Sequence, residues 1–123
     1  MPRKVMAAVD DMLFASKIRA TAEQLNVEVS FVRSADALLA SAQEKKPDLI
    51  IVDLQSQKFD AIALGKELKE RAEFRGMSLL GFYSHVLAEL QRSAIEAGFD
   101  SVIPRSVFSR DLASILTGEN ESR

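Results

Sequence analysis

Pro47-Asp48-Leu49-Ile50-Ile51-Val52-Asp53-Leu54 is the stretch that decides the fold. Leu49 to Val52 are apolar at every position, with neither helical spacing nor alternation. A strand with one wet face alternates, whereas a strand covered on both faces has no reason to. The run therefore predicts a central parallel strand, and its apolar character stops at a carboxylate, Asp53. Outward from it lie four further short runs rich in Val, Ile and Phe: Val5–Val9, Val27–Val32, Leu79–Tyr83 and Ser101–Ile103. Each predicts a strand.

Segments with helical spacing separate them. Phe14, Ile18, Ala22 and Leu25 form one stripe. Ser34 to Lys46 repeats the pattern with Ala35, Leu38, Leu39 and Ala42, and Ser34 suits the N-cap. Asp60 caps a third helix carrying Ile62, Leu64 and Leu68. A fourth runs from about Val86 to Ala97, with Gly98 at its C-terminal cap. The last begins near Ser109 and holds Leu112, Ile115 and Leu116 before Gly118. Five strands alternating with five helices make a (βα)5 chain, so a doubly wound, mostly parallel α/β sheet with right-handed crossovers is expected.

Composition bounds the rest. The chain has 123 residues, 47% of them hydrophobic, enough for one domain with a core. We read residues 1–118 as that domain and 119–123 as a polar tail. With 16 basic and 18 acidic residues the net charge is −2, which supplies no polycationic surface for nucleic acid. Cysteine is absent, excluding disulfides, thiolate metal sites and cysteine nucleophiles. The first apolar run is too short and too soon charged for a signal peptide or membrane span, so a cytoplasmic protein is expected.

In open parallel sheets, functional groups gather beyond the carboxyl ends of the strands. Strand one here ends in Asp10 and Asp11, strand three in Asp53, strand four in Ser84, and strand five runs into Arg105. Clustered carboxylates repel unless a cation joins them, and an oxygen-rich set suits Mg2+. A carboxylate beside such an ion can attack a phosphoryl group, whose oxygens then need the ion, a hydroxyl and a cationic side chain. Asp10, Asp11, Asp53, Ser84 and Arg105 supply each part. Any one aspartate after a strand is more often a cap or turn residue; the joint placement carries the reading.

Val9-Asp10-Asp11, the stretch Pro47 to Leu54 and Ala97-Gly98-Phe99-Asp100 together resemble the response regulator receiver domain of the chemotaxis type, in order and over nearly the whole chain. The resemblance implies a flavodoxin-like sheet with strand order 2-1-3-4-5. It implies Asp53 as phospho-acceptor and Mg2+ held by Asp10, Asp11, Asp53 and the backbone carbonyl of Gln55. Ser84 takes the coupling hydroxyl position. The implied partners are a histidine kinase or phosphotransfer protein and a downstream protein, with a homodimer through helix 4, strand 5 and helix 5 as one assembly the family uses. Such a protein catalyses only its own phosphorylation and dephosphorylation.

Four departures matter. Arg105 stands where the family has lysine, and its planar fork can hold a carboxylate such as Asp53 more rigidly. Ser106 stands where proline is usual and proline has moved to Pro104, so a trans bond between Arg105 and Ser106 is expected. The loop Gln55-Ser56-Gln57-Lys58-Phe59-Asp60-Ala61 lacks the proline–glycine and aspartate–glycine pairs, and its Lys58 reads as a solvated lysine or a substitute cation. Val102 occupies the position of the family's switching aromatic. These departures motivate an alternative, a degenerate pseudo-receiver serving as a phosphorylation-independent interaction module. His85, the one histidine, reads as a surface residue, and Phe82 and Tyr83 as core. A nucleotide-binding or small-molecule enzyme fits poorly. No Gly-x-Gly-x-x-Gly or Walker-type loop follows a strand, the first turn is acidic, and Asp53-Leu54-Gln55 lacks a second aspartate. These 123 residues hold no DNA-binding or catalytic output domain beyond the receiver-like region, so output is expected to lie with a partner or, if the chain is a piece of a longer protein, with the rest of that protein.

Overall fold

The computed structural model describes residues 3–84 and 87–119. Strands β1 (Lys4–Ala8), β2 (Glu28–Phe31), β3 (Leu49–Asp53), β4 (Ser78–Tyr83) and β5 (Ser101–Pro104) form one sheet in the order β2-β1-β3-β4-β5. All four pairings are parallel. Between them run α1 (Met12–Gln24), α2 (Ala35–Lys45), α3 (Ala61–Glu70), a 3-10 turn (Ala72–Phe74) and α4 (Ala88–Ala97). After β5 come α5 (Arg105–Arg110) and α6 (Leu112–Thr117).

β3 explains the architecture. Ile50 and Val52 enter the core under α2, α3 and α4 with Leu38, Leu64, Leu68 and Ala94. Leu49 and Ile51 enter the opposite core under α1, α5 and α6 with Ile18, Phe108, Ile115 and Leu116. Because successive side chains point to opposite faces, a strand between two helical layers must be apolar throughout.

The expected caps form. Ser34 Oγ accepts from the Ala37 N–H at 3.1 Å, Asp60 Oδ1 from the Ala63 N–H at 3.1 Å, and Gly98 ends α4 with φ +111°. Two expectations change. Leu25 leaves the α1 stripe: it is the half-exposed C-cap residue, and Val27 fills the core instead. The final helix starts at Arg105, four residues before Ser109, and breaks at Asp111 into α5 and α6. Pro104, with φ −65° and ψ 151°, leads into it, and Phe108 anchors it by stacking on Phe82, centroids 5.0 Å apart. α4 begins at Ala88 with Leu87 at the N-cap, while the expected start at Val86, like His85, lies outside the described residues. No peptide bond among the described residues is cis, so the Arg105–Ser106 bond is trans as expected.

Candidate functional site

Parallel register carries the strand ends to one edge. Ala8 pairs with Val52, Asp53 with Phe82 and Tyr83 with Pro104. Asp10, Asp11, Asp53, Ser84 and Arg105 therefore all leave the sheet at its carboxyl side, as the spacing predicts.

Asp53 ends β3 half-buried. Its Oδ1 accepts from the Gln55 N–H at 3.0 Å, and Leu54 N–H donates to the Phe82 carbonyl at 3.0 Å, which holds the turn against β4. Burial pushes the Asp53 carboxyl above its ordinary value. The Gln55 hydrogen bond and the Arg105 charge oppose this, and the charges of Asp10 and Asp11 add to it. The three acids and Arg105 thus share one electrostatic neighbourhood.

The two N-terminal acids are held differently. Asp10 Oδ2 accepts from the Ser56 hydroxyl at 2.5 Å, and Ser56 Oγ accepts from the Lys58 N–H at 3.2 Å, so the loop after β3 is tied to Asp10. Asp11 is the N-cap of α1. Its Oδ1 accepts from the Leu13 and Phe14 N–H groups at 2.9 and 3.1 Å, and its Oδ2 accepts from Arg105 Nη2 at 2.6 Å. The Arg105 hydrogen bond, followed by the Phe14 N–H, holds the Asp11 carboxyl below its ordinary value. Arg105 also lies over the Phe14 ring, its guanidinium carbon 4.3 Å from the centroid. The arginine fork has therefore taken Asp11; among the described residues Asp53 has no ion pair.

Ser84 is exposed, and its N–H donates to the Gln55 side-chain Oε1 at 2.6 Å, joining the ends of β3 and β4. Lys58 is exposed and stands with Asp10, Arg19, Phe31 and Arg33 around a neighbouring cleft of about 210 Å3 between α1 and the end of β2. Val102 packs half-buried against the α3–α4 side of the sheet. Phe82 and Tyr83 are buried, Tyr83 with its hydroxyl accepting from Gln91 at 2.5 Å. Ser56, Phe14 and the Gln55 side chain are site residues that sequence reading missed. Their roles arise from contacts across the fold, and no local signal in their neighbours announces them.

The oxygen atoms at these strand ends are of the kind that Mg2+ takes. Asp10, Asp53 and the Gln55 carbonyl are hard oxygen ligands on adjacent strand ends, a set that suits an ion retaining several waters. Burial raises Asp53 first, and the charges of Asp10 and Asp11 add to it; a cation would relieve that added repulsion. Asp11 departs from the expected set because both its oxygens are engaged. Among the described residues, no three carboxylate or imidazole groups stand close enough to enclose an ion. Two carboxylates and a carbonyl fit Mg2+.

Comparison with known proteins agrees with this fold. The chain is 24% identical over 107 residues to the polar-differentiation response regulator DivK of Brucella anthropi, covering 87% of each. Its fold superposes on a CheY-like response regulator receiver domain from Methanospirillum hungatei with a TM-score of 0.83, at 20% identity, over 99% of this chain and 96% of that one. The receiver domain of the sensor histidine kinase PA1611 from Pseudomonas aeruginosa, described with a magnesium ion coordinated in its active-site cleft, gives 0.81 at 17% identity, over 96% and 97%. The response regulator receiver domain family matches residues 5–117, and this chain, with its parallel sheet and acid pocket, belongs to that family, the receiver module of two-component signalling.

Proposed function

We propose that this protein accepts a phosphoryl group on Asp53 in a Mg2+-dependent reaction and passes the signal on through protein contacts. The observation that carries this is the state of the three carboxylates. Asp10 is held by Ser56 and Asp11 by Arg105, whereas among the described residues the Asp53 carboxylate takes one hydrogen bond, from the Gln55 N–H. That bond occupies Oδ1, leaving Oδ2 as the attacking oxygen. With a phosphohistidine donor, the Oδ2–P bond forms as the P–N bond breaks, and the leaving imidazole takes up a proton.

Asp10, Asp53 and the Gln55 carbonyl would hold Mg2+, with Asp11 contributing through water. When bound, the ion supplies neutralisation of the charge on the transferred group. The Ser84 hydroxyl, at the end of β4, serves the acceptor oxygens. Arg105 supplies the cationic partner, which requires it to leave Asp11. The donor is a histidine kinase or phosphotransfer protein, and output passes to a downstream protein through the face of α4, β5 and the segment Ser109 to Thr117, which ends α5 and forms α6; a homodimer there is a second use. The chemistry is confined to its own phosphorylation and dephosphorylation. Among the described residues no helix is long and apolar enough to cross a membrane, which fits a cytoplasmic location.

The test is incubation with Mg2+ and acetyl phosphate, followed by intact-protein mass spectrometry. One phosphoryl adduct is expected, absent without Mg2+ and absent in Asp53→Asn. An adduct that persists in Asp53→Asn overturns the assignment. A second reading, the phosphorylation-independent interaction module, is favoured by the Arg105–Asp11 pair and by Val102 in place of a switching ring. It predicts partner binding that is unchanged by Asp53→Asn.

A further inference from the structure

The Arg105–Asp11 pair, 2.6 Å between donor and acceptor, is as exposed as the other ion pairs of the surface; what sets it apart is the ring beneath it. The guanidinium is stacked on Phe14, and Phe14 is fixed in turn by Phe82 and Phe108, at centroid distances of 5.3 and 5.4 Å. At its other end Arg105 is the first residue of α5, directly after Pro104. A planar fork suits this double contact with carboxylate and ring face, whereas a lysine ammonium would meet them as a point charge. Asp11 is saturated as well: two N–H groups take Oδ1 and Arg105 takes Oδ2. The carboxylate that the resemblance assigns to Mg2+ already has a cation.

We propose that Arg105 is a resident counter-cation that competes with divalent ions for Asp11, so that filling the acid pocket requires Arg105 to leave both Asp11 and the Phe14 ring. This rests on the reading that the pocket takes a divalent cation through Asp10 and Asp53. One residue then plays two parts. Seated on Asp11 it weakens ion binding; released, it is free to reach the phosphoryl oxygens. Ion binding and the availability of the cationic partner become one event. The register of α5 is tied to it, because Arg105 cannot move far without its helix.

The experiment measures Mn2+ binding to the full chain by electron paramagnetic resonance, with Mg2+ as competitor. Wild type, Arg105→Ala, Arg105→Lys and Asp53→Asn are compared, with circular dichroism to verify folding. Arg105→Ala is expected to bind about five-fold more tightly, the effect of removing one half-exposed ion pair. Arg105→Lys should fall between it and wild type, and Asp53→Asn should bind weakly. In the wild type, saturating Mg2+ should shift the Arg105 side-chain proton resonances away from their ring-current positions over Phe14. Asp11→Asn should show part of that displacement without any ion.

Equal or weaker affinity in Arg105→Ala overturns the competition while leaving the metal site standing. Absence of Mn2+ binding in every protein overturns both the competition and the metal site. Arg105 resonances that stay in place at saturating Mg2+ overturn the required release even if affinities differ.

Discussion

Asp53 carries an energetic cost as well as a proposed role. Its carboxyl is raised in the folded protein, first by burial, so the folded state holds the proton to higher pH than the unfolded chain. The resulting penalty is absent below the ordinary carboxylate value, where both states are protonated. It is complete once the pH passes the raised folded value. Asp53→Asn is therefore expected to raise the thermal midpoint at pH 7 in chelator-containing buffer, with the gain vanishing in acid. A constant gain at all pH values would assign the effect to something other than ionisation. Asp11 has the opposite sign: its contribution is present above the ordinary value and is lost as pH falls through its lowered one. Gly65 is a residue-scale matter of space. A Cβ there would stand 2.3 Å from Phe99 Cε1, and that ring is buried. Alanine's helix propensity would favour the change by about 1 kcal/mol, but overpacking costs about 1–3 kcal/mol. Gly65→Ala is expected to lower the urea midpoint, and adding Phe99→Leu should recover part of the loss.

At the scale of elements, caps show how local chemistry places a helix. Asp60 supplies the one side-chain hydrogen bond at the start of α3, and Asp60→Ala should cost about 1 kcal/mol in chemical denaturation. Because α3 follows the loop that carries Gln55 and Ser56, the same variant should speed amide exchange in that loop. α5 is the contrasting element. It has no side-chain cap, and its start at Arg105 follows from Pro104 before it and the burial of Phe108 within it. Periodicity from Leu112 onward locates α6 but carries nothing about α5, since a six-residue helix with one buried anchor has no stripe to count.

The whole molecule is a sheet with two cores, and the one beneath α1, α5 and α6 also supports the site. Phe82, Phe14 and Phe108 pack together there, beneath the helix ends that present Asp11 and Arg105. Phe82→Ala is expected to cost about 3–5 kcal/mol, a large share of the 5–15 kcal/mol or so that holds a domain of this kind together. Phe82→Leu should be milder, and its Mn2+ affinity should move toward that of Arg105→Ala as the Phe14 platform loosens. Titration calorimetry on the milder variant checks this without requiring the severe one to fold.

The order of strands and helices, the two-faced character of β3, the caps at Ser34 and Asp60 and the meeting of distant aspartates at one edge could all be read from the chain. Those features depend on the period of apolar residues and on neighbours a few positions apart, and parallel pairing then aligns the strand ends. Which carboxylate would own Arg105 could not be read, because the partners lie 94 positions apart and three acids compete for one fork. Packing decided it. The Phe14 ring beside the first turn of α1 holds the guanidinium over Asp11 and away from Asp53, and side-chain geometry of that kind exists only after the sheet has brought its edges together.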